Sequence, residues 1–186
     1  MKIMFKHISA LVLFIFFVSE NISAQKQNKN FDEVTFDNVF IYEFNPSPDP
    51  IYPDKYKNII GKTFDTSIYV SYKKKTFIST QESKDLYKFL NNKSSFDNGA
   101  SICWQPHLGI YFLNEGKIVN LIEVCLDCNK LKSVLRVSQS ENGKPGSVQY
   151  PKGMSSSFRR YINSLLIKYR FDHKLENYNG IWDKNQ

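Results

Sequence analysis

The sequence predicts an α+β fold: one domain in which an antiparallel sheet carries one or two helices on one face. Three observations carry that prediction. Residues 80–91 and 155–169 place apolar side chains at helical spacing. Between residues 108 and 137, strand-like segments follow one another with only short turns between them, as antiparallel neighbours do. The intervening stretches are rich in Gly, Pro, Ser and Asn, the residues of turns and loops.

Taken in order, the chain opens on a signal-peptide pattern. Lys2 and Lys6 form a basic start, Ile8 to Val18 is apolar, and Ile22-Ser23-Ala24 ends on a small residue. Cleavage is expected before Gln25, with 1–24 as signal peptide and 25–186 as the domain. The apolar run falls short of the roughly 20 residues that span a bilayer. No Cys follows it closely and no later segment is long and apolar, so no membrane span is expected after cleavage. The expected location is exported, periplasmic or secreted. Losing Lys2, Lys6 and Glu20 lowers the formal net charge from +7 to +6. The charges are scattered rather than massed, and there is no specific nucleic-acid signature.

Residues 25–33 are polar and read as an arm, and Val39 to Phe44 as a strand rich in aromatic and β-branched residues. The segment 45–53 holds four prolines in nine residues, which bars a helix interior or central strand and makes it an extended loop. Thr66 to Tyr72 and Thr76 to Ser79 read as strands around an exposed turn at Lys73-Lys74-Lys75. Ser79 and Glu82 form a capping-box pattern, and Leu86, Phe89 and Leu90 follow on one helical face. Leu108 to Leu113, Lys117 to Cys125 and Leu131 to Val137 are the consecutive strands. Residues 138–153 read as a loop with turns at Asn142-Gly143 and Pro145-Gly146. In the helix from Ser155 to Tyr169, Phe158, Tyr161, Ile162, Leu165, Leu166 and Tyr169 make the apolar face, with Arg159, Arg160 and Lys168 off it. The polar tail carries Ile181-Trp182, which is expected to dock back.

Chemistry concentrates between residues 103 and 128. This block holds all three cysteines, Cys103, Cys125 and Cys128, and one of three histidines, His107. Laid on a hairpin with a two-residue turn at Glu115-Gly116, Cys103 falls opposite Cys128 and Pro106 opposite Cys125. If Gly116 instead makes a bulged three-residue loop, His107 falls opposite Cys125. Either register gathers the block at the open end of one hairpin.

Three readings compete, in this order. A Cys103–Cys128 disulfide suits an oxidising compartment and would leave Cys125 over. Alternatively, Cys103, His107, Cys125 and Cys128 supply the Cys3His set that suits tetrahedral zinc. That site requires a sharp turn at Trp104-Gln105-Pro106, since an extended stretch would part Cys103 and His107 by about 13 Å. The third reading is redox catalysis at Cys125-x-x-Cys128. It lacks the helix N-terminus that lowers a thiol pKa, and Asp127 would raise it. No cofactor is called for beyond that zinc.

The block resembles one in uncharacterised exported bacterial proteins, where a Cys, a Pro-His pair and an aromatic strand precede Ile-Glu-x-Cys-x-x-Cys. The matching residues are Cys103, Pro106-His107, Ile110-Tyr111-Phe112 and Ile122-Glu123-Val124-Cys125-Leu126-Asp127-Cys128. The resemblance implies that the block is a unit and implies no particular chemistry.

Elsewhere the sequence lacks a phosphate-binding Gly loop, a Gly-x-Ser-x-Gly elbow and a paired His-x-x-x-His. His173 is expected at the surface after the second helix. Glu123 is expected at an edge or beside a Lys rather than as a general base. These readings favour an exported protein with a binding or structural role over an enzyme. The alternatives are a metal- or thiol-dependent enzyme using His107 with Cys125 and Cys128, and an inhibitor or immunity-type binding protein. No partner is identified.

Overall fold

The computed structural model describes residues 30–44, 58–65, 72–100, 103–137 and 152–173. The signal peptide, the Pro-rich loop 45–53, residues 66–71, the turns within 138–151 and Ile181-Trp182 lie outside the described residues. The described elements form the α+β fold expected. A five-stranded antiparallel sheet has the order β2-β1-β4-β5-β6, built from Asn38–Phe44 (β1), Tyr72–Phe77 (β2), Leu108–Asn114 (β4), Lys117–Cys125 (β5) and Lys130–Ser133 (β6). A small second sheet pairs Phe96–Gly99 (β3) with Lys152–Met154 (β7). The helices are Thr80–Asn91 (α1) and Ser156–Lys168 (α2). No helix among the described residues is long and apolar enough to cross a membrane.

Each face of the large sheet is covered, by different means. Val39, Ile41, Ile110, Ile122 and Val124 pack under the two helices through residues such as Leu86, Phe158 and Leu165. On the other face Phe40, Tyr42, Tyr111 and Leu121 are covered by Ile59, Ile60 and Phe64 of the segment 58–65. The central strand β4 is therefore buried along nearly its whole length. Gly109 permits this packing, because a Cβ there would lie 2.0 Å from the Tyr42 ring.

The hairpin uses both registers in succession. Glu115 (φ 50) and Gly116 (φ 71) form the two-residue turn, and both positive φ values are those of a type I′ turn. The Asp37 carboxylate accepts from the Glu115 N–H at 2.8 Å, which supports that non-glycine residue in its unusual conformation. Asn114 pairs with Lys117 and Leu113 with Ile118, but Phe112 then pairs with Asn120. Val119 is thus the extra residue of a bulge, and the strands continue in the second register to Leu108 opposite Val124.

Three expectations need correction. Lys73 to Lys75 lie within strand β2 rather than in a turn. Among the described residues β2 is an outer strand of the sheet, a position that tolerates lysines, and the Lys74 amine donates to the Arg170 carbonyl at 2.6 Å. The end of the 138–153 segment, read as loop, opens strand β7, which pairs with β3. Arg159 does not lie off the packed face: it is 1 % exposed. Its guanidinium donates to the Leu126 carbonyl at 2.6 Å and to Asn129 Oδ1 at 3.2 Å.

The helices are capped and tied together at their ends. Ser79 accepts from the Glu82 N–H while Glu82 accepts from the Ser79 N–H, completing the capping box. Glu82 also accepts from Lys168 and Tyr169 of the other helix's last turn, both at 2.7 Å. The Tyr161 hydroxyl donates to the Glu82 carbonyl at 2.8 Å, and Phe89 stacks on Phe158 with ring centroids 5.1 Å apart. Ser155 caps α2 by accepting from the Phe158 N–H.

Burial opposes the charge on Glu82, yet hydrogen bonds from Lys168, Ser79 and Tyr169 outweigh it and hold its carboxyl at about 2 instead of 4.5. A carboxylate whose folded pKa is depressed stabilises the fold above its unfolded pKa and loses that contribution as pH falls toward the folded value. The wild type should therefore be more stable than Glu82→Gln near neutral pH. The gap should narrow as pH falls from about 5 to about 2. Urea titrations at a series of pH values measure it, and a gap independent of pH would count against the network. Separately, Arg159→Met keeps the bulk but strips the donors from Leu126 and Asn129. It should cost about 2–3 kcal/mol in the same assay, against near-neutrality if the guanidinium were mere filler.

Candidate functional site

The site grows from the turn between β5 and β6. Leu126 to Asn129 reverse the chain, with Asn129 at φ 52 and its N–H donating to the Leu126 carbonyl at 3.1 Å. Asn tolerates that left-handed conformation better than most residues. Its side chain donates to the Gly99 carbonyl at 3.0 Å. Gly153 lies so close that a Cβ would fall 2.3 Å from the Asn129 amide nitrogen, so β7 reaches the turn only as glycine. Arg159 holds the same turn from the helix side.

The second wall is the leg 103–107. Cys103 and Cys128 form a disulfide, with Cα atoms 5.9 Å apart. Trp104 lies under the Lys132 amine, which sits 4.4 Å from the ring centroid. Burial, then the neighbouring Lys130, push the Lys132 pKa down, while Glu123 works the other way. Glu123 is cross-strand from Lys132 and buried on an interior strand, so the Lys neighbour is found and the edge position is not. Pro106 is buried, and the His107 N–H donates to the Val124 carbonyl at 3.3 Å, where the leg joins β4.

Cys125 is buried between the two walls and is the free thiol. Its sulfur accepts from the Cys128 N–H at 3.3 Å. Burial pushes this thiol up, although N–H groups of Gln105, Cys128 and Asp127 pull the other way, and the Asp127 charge adds to the rise. A nucleophilic cysteine needs the opposite environment. The disulfide partner of Cys128 is Cys103, not Cys125, and the turn leads into strand β6 with no helix N-terminus behind it.

The third wall comes from beyond α2. Arg170 at φ 56 ends the helix, and the Phe171 N–H returns to the Leu166 carbonyl at 2.9 Å. Phe171 is buried. The buried Glu43 carboxylate on β1 then accepts from the N–H groups of Asp172 and His173, both at 3.0 Å. This brings His173 inward, with its side chain 12 % exposed, where the sequence suggested a surface residue. Its ring lies nearly parallel to that of His107, with centroids 4.2 Å apart and planes at 11°. Its Nε2 is 3.4 Å from Asp127 Oδ1.

Of the four residues of the Cys3His set, Cys103 and Cys128 are bonded to each other, which withdraws both sulfurs as thiolate ligands in this oxidised form. Cys125 is the buried free thiol. His107 is brought to Asp127 and His173 instead, and one candidate ligand atom from each lies within 4.8 Å of the other two. Asp127 and His173 were missed as partners of His107. Asp127 lies inside the Cys-x-x-Cys run, where it registered only as a charge beside thiols. No spacing rule connects residue 173 to residue 107; the link is the Glu43 carboxylate.

The three positions share a physical character. Each candidate side chain hangs from backbone fixed by a different device: a strand junction for His107, a doubly held turn for Asp127 and a buried carboxylate for His173. Such support is what a binding constellation requires, because side chains on locked backbone lose little freedom when they engage a ligand. Comparison with known protein families, characterised proteins and solved structures finds no match, so the functional reading stands on this geometry.

Proposed function

We propose that the protein is exported and acts in an oxidising compartment as a binding or structural domain, with the Cys103–Cys128 disulfide stapling its 103–128 block. The observation that carries this reading is the disulfide itself. Such bonds persist outside the reducing cytosol, and an N-terminal signal-peptide pattern stands in the same chain. The staple closes a separation of 25 residues, which by chain entropy stabilises the fold by about 3.5 kcal/mol. A thiol catalyst is the weaker reading, because Cys125 is buried and its pKa is raised by that burial.

Protein expressed with its N-terminal segment and recovered from the exported fraction should begin at Gln25. It should weigh two hydrogens less than the fully reduced mature chain. One thiol should react with a thiol reagent, and only after denaturation. The double variant Cys103→Ser, Cys128→Ser should lose about 3 kcal/mol in urea titrations. Three reactive thiols in the exported protein, or a chain retained in the cytosol with Met1 intact, would sink the proposal.

A further inference from the structure

We infer that His107, Asp127 and His173 form a binding site for one divalent first-row transition metal of the zinc type, in the oxidised protein and without any cysteine ligand. This deepens the binding role proposed above by naming its ligand, and it rests on that reading only in requiring the stapled block. The donor set is two imidazole nitrogens and one carboxylate oxygen. Such a set suits zinc, and copper by the general affinity order, while calcium and magnesium prefer oxygen ligands throughout.

The distances support a site that closes on the ion. Four tetrahedral ligands at about 2.1 Å from zinc stand about 3.4 Å from one another. Asp127 Oδ1 and His173 Nε2 already have that separation, at 3.4 Å. The remaining separations reach no more than 4.8 Å. Imidazole lone pairs lie in the ring plane, so binding one ion requires the His107 ring to tilt out of its nearly parallel stack on His173. Three protein ligands leave a fourth position for water or an exogenous donor. That arrangement is characteristic of zinc sites that act on or exchange a ligand rather than of closed structural ones.

The backbone behind each ligand argues for a prepared site rather than a chance meeting of polar groups. The turn bearing Asp127 is clamped by the disulfide on one side and by Arg159 on the other. His173 is drawn in by two hydrogen bonds to a carboxylate buried to 3 % exposure. His107 is fixed at the first residue before β4. A reduced protein would offer a competing Cys3His set, so the test must tell imidazole–carboxylate ligation from thiolate ligation.

The test uses the mature, oxidised full-length protein, first stripped of metal. Calorimetric titration with zinc should give one ion per chain, and excess calcium or magnesium should not compete. His107→Ala and His173→Ala should each weaken binding by at least about tenfold, and Cys125→Ser should leave it unchanged. Cobalt in place of zinc should give the visible absorption of a tetrahedral site with no thiolate charge-transfer band. Circular dichroism and melting in chelator, with His173→Gln as the gentler second variant, should show that these proteins remain folded. No stoichiometric zinc, binding retained in folded His173→Ala, binding lost in Cys125→Ser, or a thiolate band with cobalt would each overturn the site. Thiol counting on the same samples reports separately on the staple, so failure of one reading is distinguishable from failure of the other.

Discussion

A guanidinium enclosed by apolar side chains costs several kcal/mol unless its N–H groups find acceptors. Arg159 finds them in the Leu126 carbonyl and the Asn129 side chain. The demand works in both directions. A drift of the turn after β5, or a shift of α2 along the sheet, would break hydrogen bonds to a buried charge. Through Asn129 and Gly99 the constraint extends to the small β3–β7 sheet. Three parts of the molecule that are distant in sequence are thereby referred to one turn, and that turn carries Asp127 and Cys128.

The disulfide fixes the same turn from the opposite side, and the two constraints differ in kind. The covalent bond limits how far the 103–107 leg can separate from the turn but leaves rotations open. The hydrogen bonds of Arg159 set orientation. Together they leave Asp127 little room, while Glu43 does the corresponding work for His173 from a different strand. The three residues of the proposed metal site thus sit on short irregular segments, and the regular elements serve to hold those segments still. This is the common division between a rigid scaffold and site-bearing loops.

Much of the fold was legible because its signals are local. The Ser79–Glu82 capping box and the spacing of Leu86 and Leu90 mark α1, and the observed helix runs over the expected residues. Glu115-Gly116 marks the hairpin turn. The bulge at Val119 was not legible, because no residue type demands it; it arises where Ile118 turns to bond the 58–65 segment through Gly61 and Lys62. Arg159 was misplaced because helical periodicity sorts by polarity, and a buried arginine is visible only through its distant acceptors. The lysines of β2 looked like a turn because three adjacent charges suit one, yet a strand that is outermost among the described residues tolerates them equally well. His173 was hidden for the reason that applies to most sites: its neighbours are set by tertiary contacts, here a carboxylate 130 residues away in the chain.

The position of the disulfide has a topological meaning. Cys103 precedes β4 and Cys128 follows β5, so the bond turns the two strands and their connecting turn into a covalent ring. These are the middle strands of the five-stranded sheet, with β1 added on one side and β6 on the other. When the chain unfolds, its central pair stays tethered, and the flanking strands return to a nucleus whose ends were never lost. The tip of the ring at Glu115-Gly116 is exposed. A protease cutting there opens the ring without dividing the molecule, leaving a two-chain protein joined at the base of its own hairpin.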